Sequence, residues 1–200
     1  MLKWKNMRIF VLLIAMILGL SSVFIYLSIR GSMPSEAEKT GLFPAQYFQP
    51  IAGQEVSFDQ AQASVPFKIN MPTKMEIFVQ LKLNGDAVKI ICAAVKLSSD
   101  ASYFDVLNQN GIILYEAPLS ETYGTLQFAE NNLRAIIDST KDYSDGGLKP
   151  VTVNGYFGCV GGNVEHCVTW CTETTYYQLT ASNKYPLQEL VAMAQSIPVN

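Results

Sequence analysis

Apolar and polar positions alternate with a period of two at several places along this chain. Ile77, Val79, Leu81 and Leu83 alternate with Phe78, Gln80 and Lys82, the pattern of a half-buried strand over 76–83. Asn84-Gly85 follows, a strong hairpin signal, and a second strand is expected over 87–97. Three more strands, over 151–159, 166–171 and 175–181, are separated by turn residues at Gly161-Gly162-Asn163 and Thr172-Glu173-Thr174. After Ser182-Asn183-Lys184 the spacing becomes helical over 186–197, placing Leu187, Leu190, Val191, Ala194 and Ile197 on one face. Ser57 and Gln60 have the form of a capping box, opening a helix over 58–64 that Pro66 stops. Helices over 100–109 and 130–140 and strands over 112–116 and 125–128 complete the pattern. Mostly sequential strands, without strict strand–helix alternation, predict an α+β domain whose sheet is mostly antiparallel with helices packed on it.

The N-terminal pattern is different. Residues 9–29 contain no charged side chain, and a helix of that length spans roughly 30 Å, the thickness of a bilayer's hydrocarbon core. Trp4 and Tyr26 lie near its ends, where amphipathic rings favour the interface. The apolar run continues through Val23-Phe24-Ile25 beyond the small Ser21-Ser22 pair, longer than the core of a signal peptide, which favours an uncleaved anchor. Lys3, Lys5 and Arg8 outnumber Arg30 at the other end, so the N-terminus is expected in the cytoplasm and the C-terminal domain outside it, in a single-pass arrangement. The expected organisation is a stub and transmembrane anchor over 1–30, a tether over 31–50 rich in turn residues, and an extracytoplasmic α+β domain over 51–200.

Charge narrows the function. Residues 1–30 hold four basic residues and no acid, leaving ten basic against seventeen acidic residues in the remainder, a net −7. So acidic a domain repels phosphate backbones, and nucleic acid is excluded as an expected partner.

Two segments carry a resemblance. One is the run VSFDQAQASVPF from Val56 to Phe67, with Pro72 beyond it. The other combines Val151-Thr152-Val153-Asn154-Gly155, Val168-Thr169-Trp170, Tyr176-Tyr177-Gln178-Leu179 and the final helix with Leu187, Leu190, Ala194 and Ile197. With Gly111-Ile112-Ile113-Leu114-Tyr115-Glu116, these resemble a family of extracytoplasmic domains of unknown function that follow a membrane anchor in bacterial and archaeal proteins, some of them anti-sigma-factor-like or sporulation-type envelope proteins. The resemblance implies a curved antiparallel sheet facing helices, similar in style to periplasmic sensor and lipoprotein-carrier domains, and it carries over no catalytic residues and no cofactor. The cysteines between 159 and 171 depart from the family pattern.

Those cysteines are the candidate chemistry. Cys159, His166, Cys167 and Cys171 are ligand types that zinc accepts. Yet Cys167 and Cys171 lie four residues apart on one expected strand, roughly 13 Å between Cα atoms, too far to share an ion. The same separation excludes a Cys167–Cys171 disulfide. Two pairings remain: Cys159–Cys167 with Cys92–Cys171, or Cys159–Cys171 with Cys92–Cys167. A three-residue loop at 162–164 would place Cys159 opposite Cys167, which makes that cross-hairpin disulfide the expected one. His166 adjoins Cys167, but successive strand residues face opposite sides, which disfavours a thiol–imidazole pair. Asp138, Asp142 and Asp145 lack the alternating ligands of a calcium loop. The expected function is therefore a membrane-anchored interaction or sensor module that binds a protein, peptide or envelope lipid without catalysis. The alternative is a metal-binding or thiol-dependent enzyme domain built on the cysteine–histidine cluster.

Overall fold

The computed structural model describes residues 48–71, 78–141, 147–163 and 165–198. The expected anchor at 9–29 and most of the expected tether lie outside them. No helix among the described residues is long and apolar enough to cross a membrane.

Eight strands form one antiparallel sheet in the order β1-β2-β3-β4-β8-β7-β6-β5. They are β1 Gln54–Val56, β2 Phe78–Asn84, β3 Ala87–Ala93, β4 Ile112–Pro118, β5 Lys149–Val153, β6 Tyr156–Gly161, β7 Glu165–Cys171 and β8 Thr175–Ser182. The described helices are α1 Phe58–Ser64, α2 Tyr103–Asn108, α3 Leu119–Thr122, α4 Leu126–Thr140 and α5 Leu187–Ser196. Two four-stranded meanders thus meet at the β4–β8 seam. The chain leaves β4 through α3 and α4, reaches the far edge at β5, and winds back strand by strand to β8. The α+β class with a mostly antiparallel sheet agrees with the sequence expectation.

Side-chain hydrogen bonds start three of these helices. Ser57 and Gln60 close the expected capping box at α1, and Ser102 and Asp105 close a second at α2. Two sequence expectations are corrected. The expected strand at 125–128 is the start of α4: the Thr125 hydroxyl accepts from the Phe128 N–H, and a single helix runs on to Thr140. The expected single strand over 151–159 is a hairpin, β5 and β6. Asn154 (φ 50°) and Gly155 (φ 90°) both adopt the left-handed backbone that a tight two-residue turn requires. β3 also ends at Ala93 rather than at 97.

The two faces of the sheet differ in chemistry. One is sealed. α1 and the segment after it contribute Ala61, Val65, Phe67 and Ile69, and α5 contributes Leu190, Ala194 and Ile197, against Ile90, Leu114, Val168, Trp170 and Leu179. A cross-sheet row on this face runs Leu83, Val88, Glu116, Tyr177, Trp170, Gly158, Val151. Gly158 sits opposite Trp170, and a Cβ there would fall 2.5 Å from the Thr169 carbonyl oxygen, so strand β6 can lie this close to β7 only without a side chain. The Trp170 and Tyr177 rings stack at 4.8 Å, 5° from parallel.

The other face is covered only towards its ends. α2, with Ile51, Leu97 and Ala101, packs on Ile91, Ala93 and Ile113. α3 and the start of α4 pack Leu119, Leu126 and Ala129 on Ala87, Ala117, Cys171 and Tyr176. Pro50 bridges to Ser102, so the chain joins the domain before residue 51.

Candidate functional site

Between those two covers the sheet's centre is open. The strand register brings its floor together: Lys89, Tyr115 and Gln178 are directly opposed on adjacent strands, in a row that continues on either side into the buried Lys82, Thr169 and Cys159. Ile113 and Thr180, also opposite one another, lie one row further on. With Lys89, Tyr115, Gln178, Asn84, Tyr103 from the first turn of α2 and Glu165 at the start of β7, these two line a groove of about 480 Å³. That is within the usual size of a small-molecule site, and its lining of a few polar groups among aromatic and aliphatic surface is the usual composition.

Each polar group is held by the fold. Lys82 is 2% exposed, and its ammonium donates to the carbonyl oxygens of Ile51 (2.9 Å) and Ser99 (2.7 Å). The Lys89 ammonium lies 5.7 Å from the centre of the Tyr103 ring, and burial, then repulsion from Lys82, pulls its pKa down. Burial, then the charges of Glu165 and Tyr115, pushes the Tyr103 phenol up; burial and then Glu121 do the same at Tyr115. The Tyr176 hydroxyl donates to Gln178 Oε1 at 3.0 Å, which fixes the amide on the groove floor.

The sequence-derived candidates are distributed around this groove rather than gathered into a centre. Cys159, Cys167 and Cys171 share the groove's face. His166 occupies the opposite face, where its Nδ1 lies 2.7 Å from the Tyr185 carbonyl oxygen. No cluster of three or more metal-ligating side chains occurs among the described residues. All four cysteines are free thiols. The expected hairpin register is corrected by two residues: Cys159 faces Thr169, and Cys167 faces Gly161. Glu165 and His166 already pair with Ser182 and Ala181 of β8, so β7 extends past the end of β6 and the connection is longer than three residues. Burial pushes the thiol of Cys92 up to about 12, that of Cys159 to about 11 and that of Cys171 to about 12, and raises Cys167 as well. A thiolate nucleophile or ligand is disfavoured at every one of them.

One acidic residue escaped the sequence reading. Glu116 is fully buried in the apolar row, and both carboxylate oxygens lie 3.3 Å from the Asn70 backbone N–H. The Asn70 amide in turn donates to the Tyr177 hydroxyl at 3.0 Å. Desolvation raises the Glu116 pKa to about 8, the Asn70 N–H opposing it. The signal was present in the sequence: Glu116 has the strand parity of Ile112 and Leu114, both on the buried face.

No protein-family description, curated protein or solved structure matches this chain.

Proposed function

We propose that this protein is a non-catalytic binding or sensor module, held at a membrane by residues 9–29 with its α+β domain extracytoplasmic, and that its ligand seats in the groove floored by Lys89, Tyr115, Gln178 and Thr180. The difference between the two faces carries this reading. One face is closed by apolar side chains from two helices, whereas the other is open over its centre, where hydrogen-bonding groups from α2 and five strands converge. The metal or thiol-enzyme alternative gains no support, because the thiols are buried with raised pKa values and His166 faces away from them. The membrane assignment is supported by the uncharged run and its basic flank.

The test is solution NMR on the full-length chain in detergent micelles, with capped tripeptides and short-chain phospholipids as probes. Binding is expected to shift the resonances of Lys89, Tyr115, Gln178 and Thr180. Shifts centred instead on His166 and Asn183 at the far end of the β6–β7 hairpin would move the site and overturn the proposal. For topology, protease added to intact cells is expected to remove the domain and leave the anchor; a soluble form beginning after Ser22 would reverse that assignment.

A further inference from the structure

Two lysines stand opposite one another on β2 and β3, and the fold makes use of one. Lys82 spends its ammonium on two backbone carbonyls. Lys89 stands directly opposite it on β3, half-buried, with Tyr103 beneath its ammonium and no carboxylate paired with it among the described residues. Like charges directly opposed on neighbouring strands destabilise a sheet, and burying part of an ammonium adds a desolvation cost. Glu165 lines the same groove, but its charge acts on the Tyr103 phenol and its strand position is remote from Lys89. The β7 member of Lys89's row is Thr169, and Glu165 lies four residues further along that strand. That offset is about 13 Å along the strand, in addition to about 14 Å across three strand spacings.

We infer that Lys89 anchors a carboxylate, and that the groove is a receptor for a small organic monocarboxylate or for the carboxylate end of a peptide. The inference rests on the groove being the binding site proposed above. The lining carries one ammonium, Lys89, and one carboxylate, Glu165, four residues along β7 from Lys89's row. The neutral groups Tyr115, Gln178 and Asn84 surround the Lys89 end, which suits one negative charge there, whereas a phosphate dianion calls for further cations or a guanidinium fork. The Tyr103 and Tyr115 rings and Ile113 provide apolar surface for the body of the ligand. A bound anion would offset the repulsion between Lys82 and Lys89.

Calorimetric titration of the full-length chain in micelles tests this with two matched pairs: benzoate against benzamide, and N-acetyl-trialanine against its C-terminal amide. The acid of at least one pair is expected to bind tenfold or more tightly than its amide. Lys89→Met should remove at least that tenfold and leave the amide unchanged, while Lys89→Arg should keep most of it. Preference for benzoate assigns a free organic acid, and preference for the peptide assigns a chain end. The empty Lys89→Met chain is expected to melt at or above the parent's temperature, because a repulsion has been removed; Lys89→Gln serves if that variant misfolds. Equal binding of acid and amide, an unchanged Lys89→Met affinity, no binding of either acid, or tighter binding of inorganic phosphate would each overturn the carboxylate assignment. Groove shifts produced by capped, uncharged peptides would survive any of these results and preserve the binding-module reading by itself.

Discussion

The ammonium of Lys82 holds the carbonyl oxygen of Ile51 at 2.9 Å, and so fixes the point where the chain enters the domain. The Ile51 N–H donates to the Ala101 carbonyl oxygen at 3.0 Å, and Ser99 supplies the second acceptor for Lys82. One buried cation thereby ties residues 50–51 and the loop before α2 to strand β2. Lys82→Met retains the aliphatic stem but leaves both carbonyls without their donor. The expected loss is about 2–4 kcal/mol, read as a lower urea midpoint at unchanged slope. A midpoint equal to the parent's would show that water replaces the ammonium at no cost.

Glu116 predicts a stability that depends on pH. Below about pH 4.5 the carboxyl is protonated whether the chain is folded or not. From there to about pH 8 only the folded chain keeps the proton, so stability falls as pH rises; above about 8 both forms are ionised and the loss levels off. The loss across that window is on the order of 4–5 kcal/mol. Glu116→Gln keeps an acceptor for the Asn70 N–H and removes the titration. The parent-minus-variant difference, taken from urea midpoints between pH 4 and 9, should therefore decline with pH. A difference independent of pH would mean that Glu116 ionises in the folded chain as readily as in water.

The sealed face makes two mechanical predictions. Leu190 is fully buried between α5 and the sheet, and Leu190→Ala is expected to cost about 2–5 kcal/mol. Gly158→Ala removes no contact but drives a methyl group to within 2.5 Å of the Thr169 carbonyl oxygen, directly beside Trp170. It should cost about 1–3 kcal/mol and move the near-ultraviolet signal of the stacked Trp170–Tyr177 pair. A stable Gly158→Ala chain with an unchanged spectrum would show that β6 and β7 can separate freely.

Much of this architecture was legible where local pattern and packing agree. The period of two gave the β2–β3 hairpin, and helical spacing gave α5 with the buried face on which Leu190, Ala194 and Ile197 lie. Asn154-Gly155 carries the same turn signal as Asn84-Gly85, but apolar residues on both sides made β5 and β6 read as one strand. Thr125, Leu126 and Phe128 imitate strand alternation; the Thr125 side chain decides for helix by capping it. A two-residue loop at the expected Asn84-Gly85 would have set Lys82 opposite Ala87; the turn is instead Gly85-Asp86, which sets Lys82 opposite Lys89. The far side of the groove was no more legible. Gln178 and Thr180 meet Tyr115 and Ile113 only because β8 returns to β4 after an excursion to the far edge, and no local pattern encodes that seam.

The thiols give the last prediction. With pKa values raised to about 11 or 12, Cys92, Cys159 and Cys171 are roughly 0.1–0.01% thiolate at pH 8, against about a quarter for an ordinary exposed thiol. Ionisation alone should slow iodoacetamide alkylation of the folded chain about a hundredfold or more, and burial slows it further. Unfolding in urea should release all four cysteines to rapid reaction. Cys159 is diagonal to both Cys167 and Cys171, and diagonal Cα atoms in a sheet are typically about 7–8 Å apart, beyond the usual span of a disulfide. Mass mapping of the non-reduced protein is accordingly expected to find free Cys159. A linked Cys159–Cys167 peptide would mean that β6 and β7 shift by two residues when the chain matures in an oxidising compartment, bringing those residues face to face. Fast native alkylation of Cys159 would instead show that the strand edge opens around it.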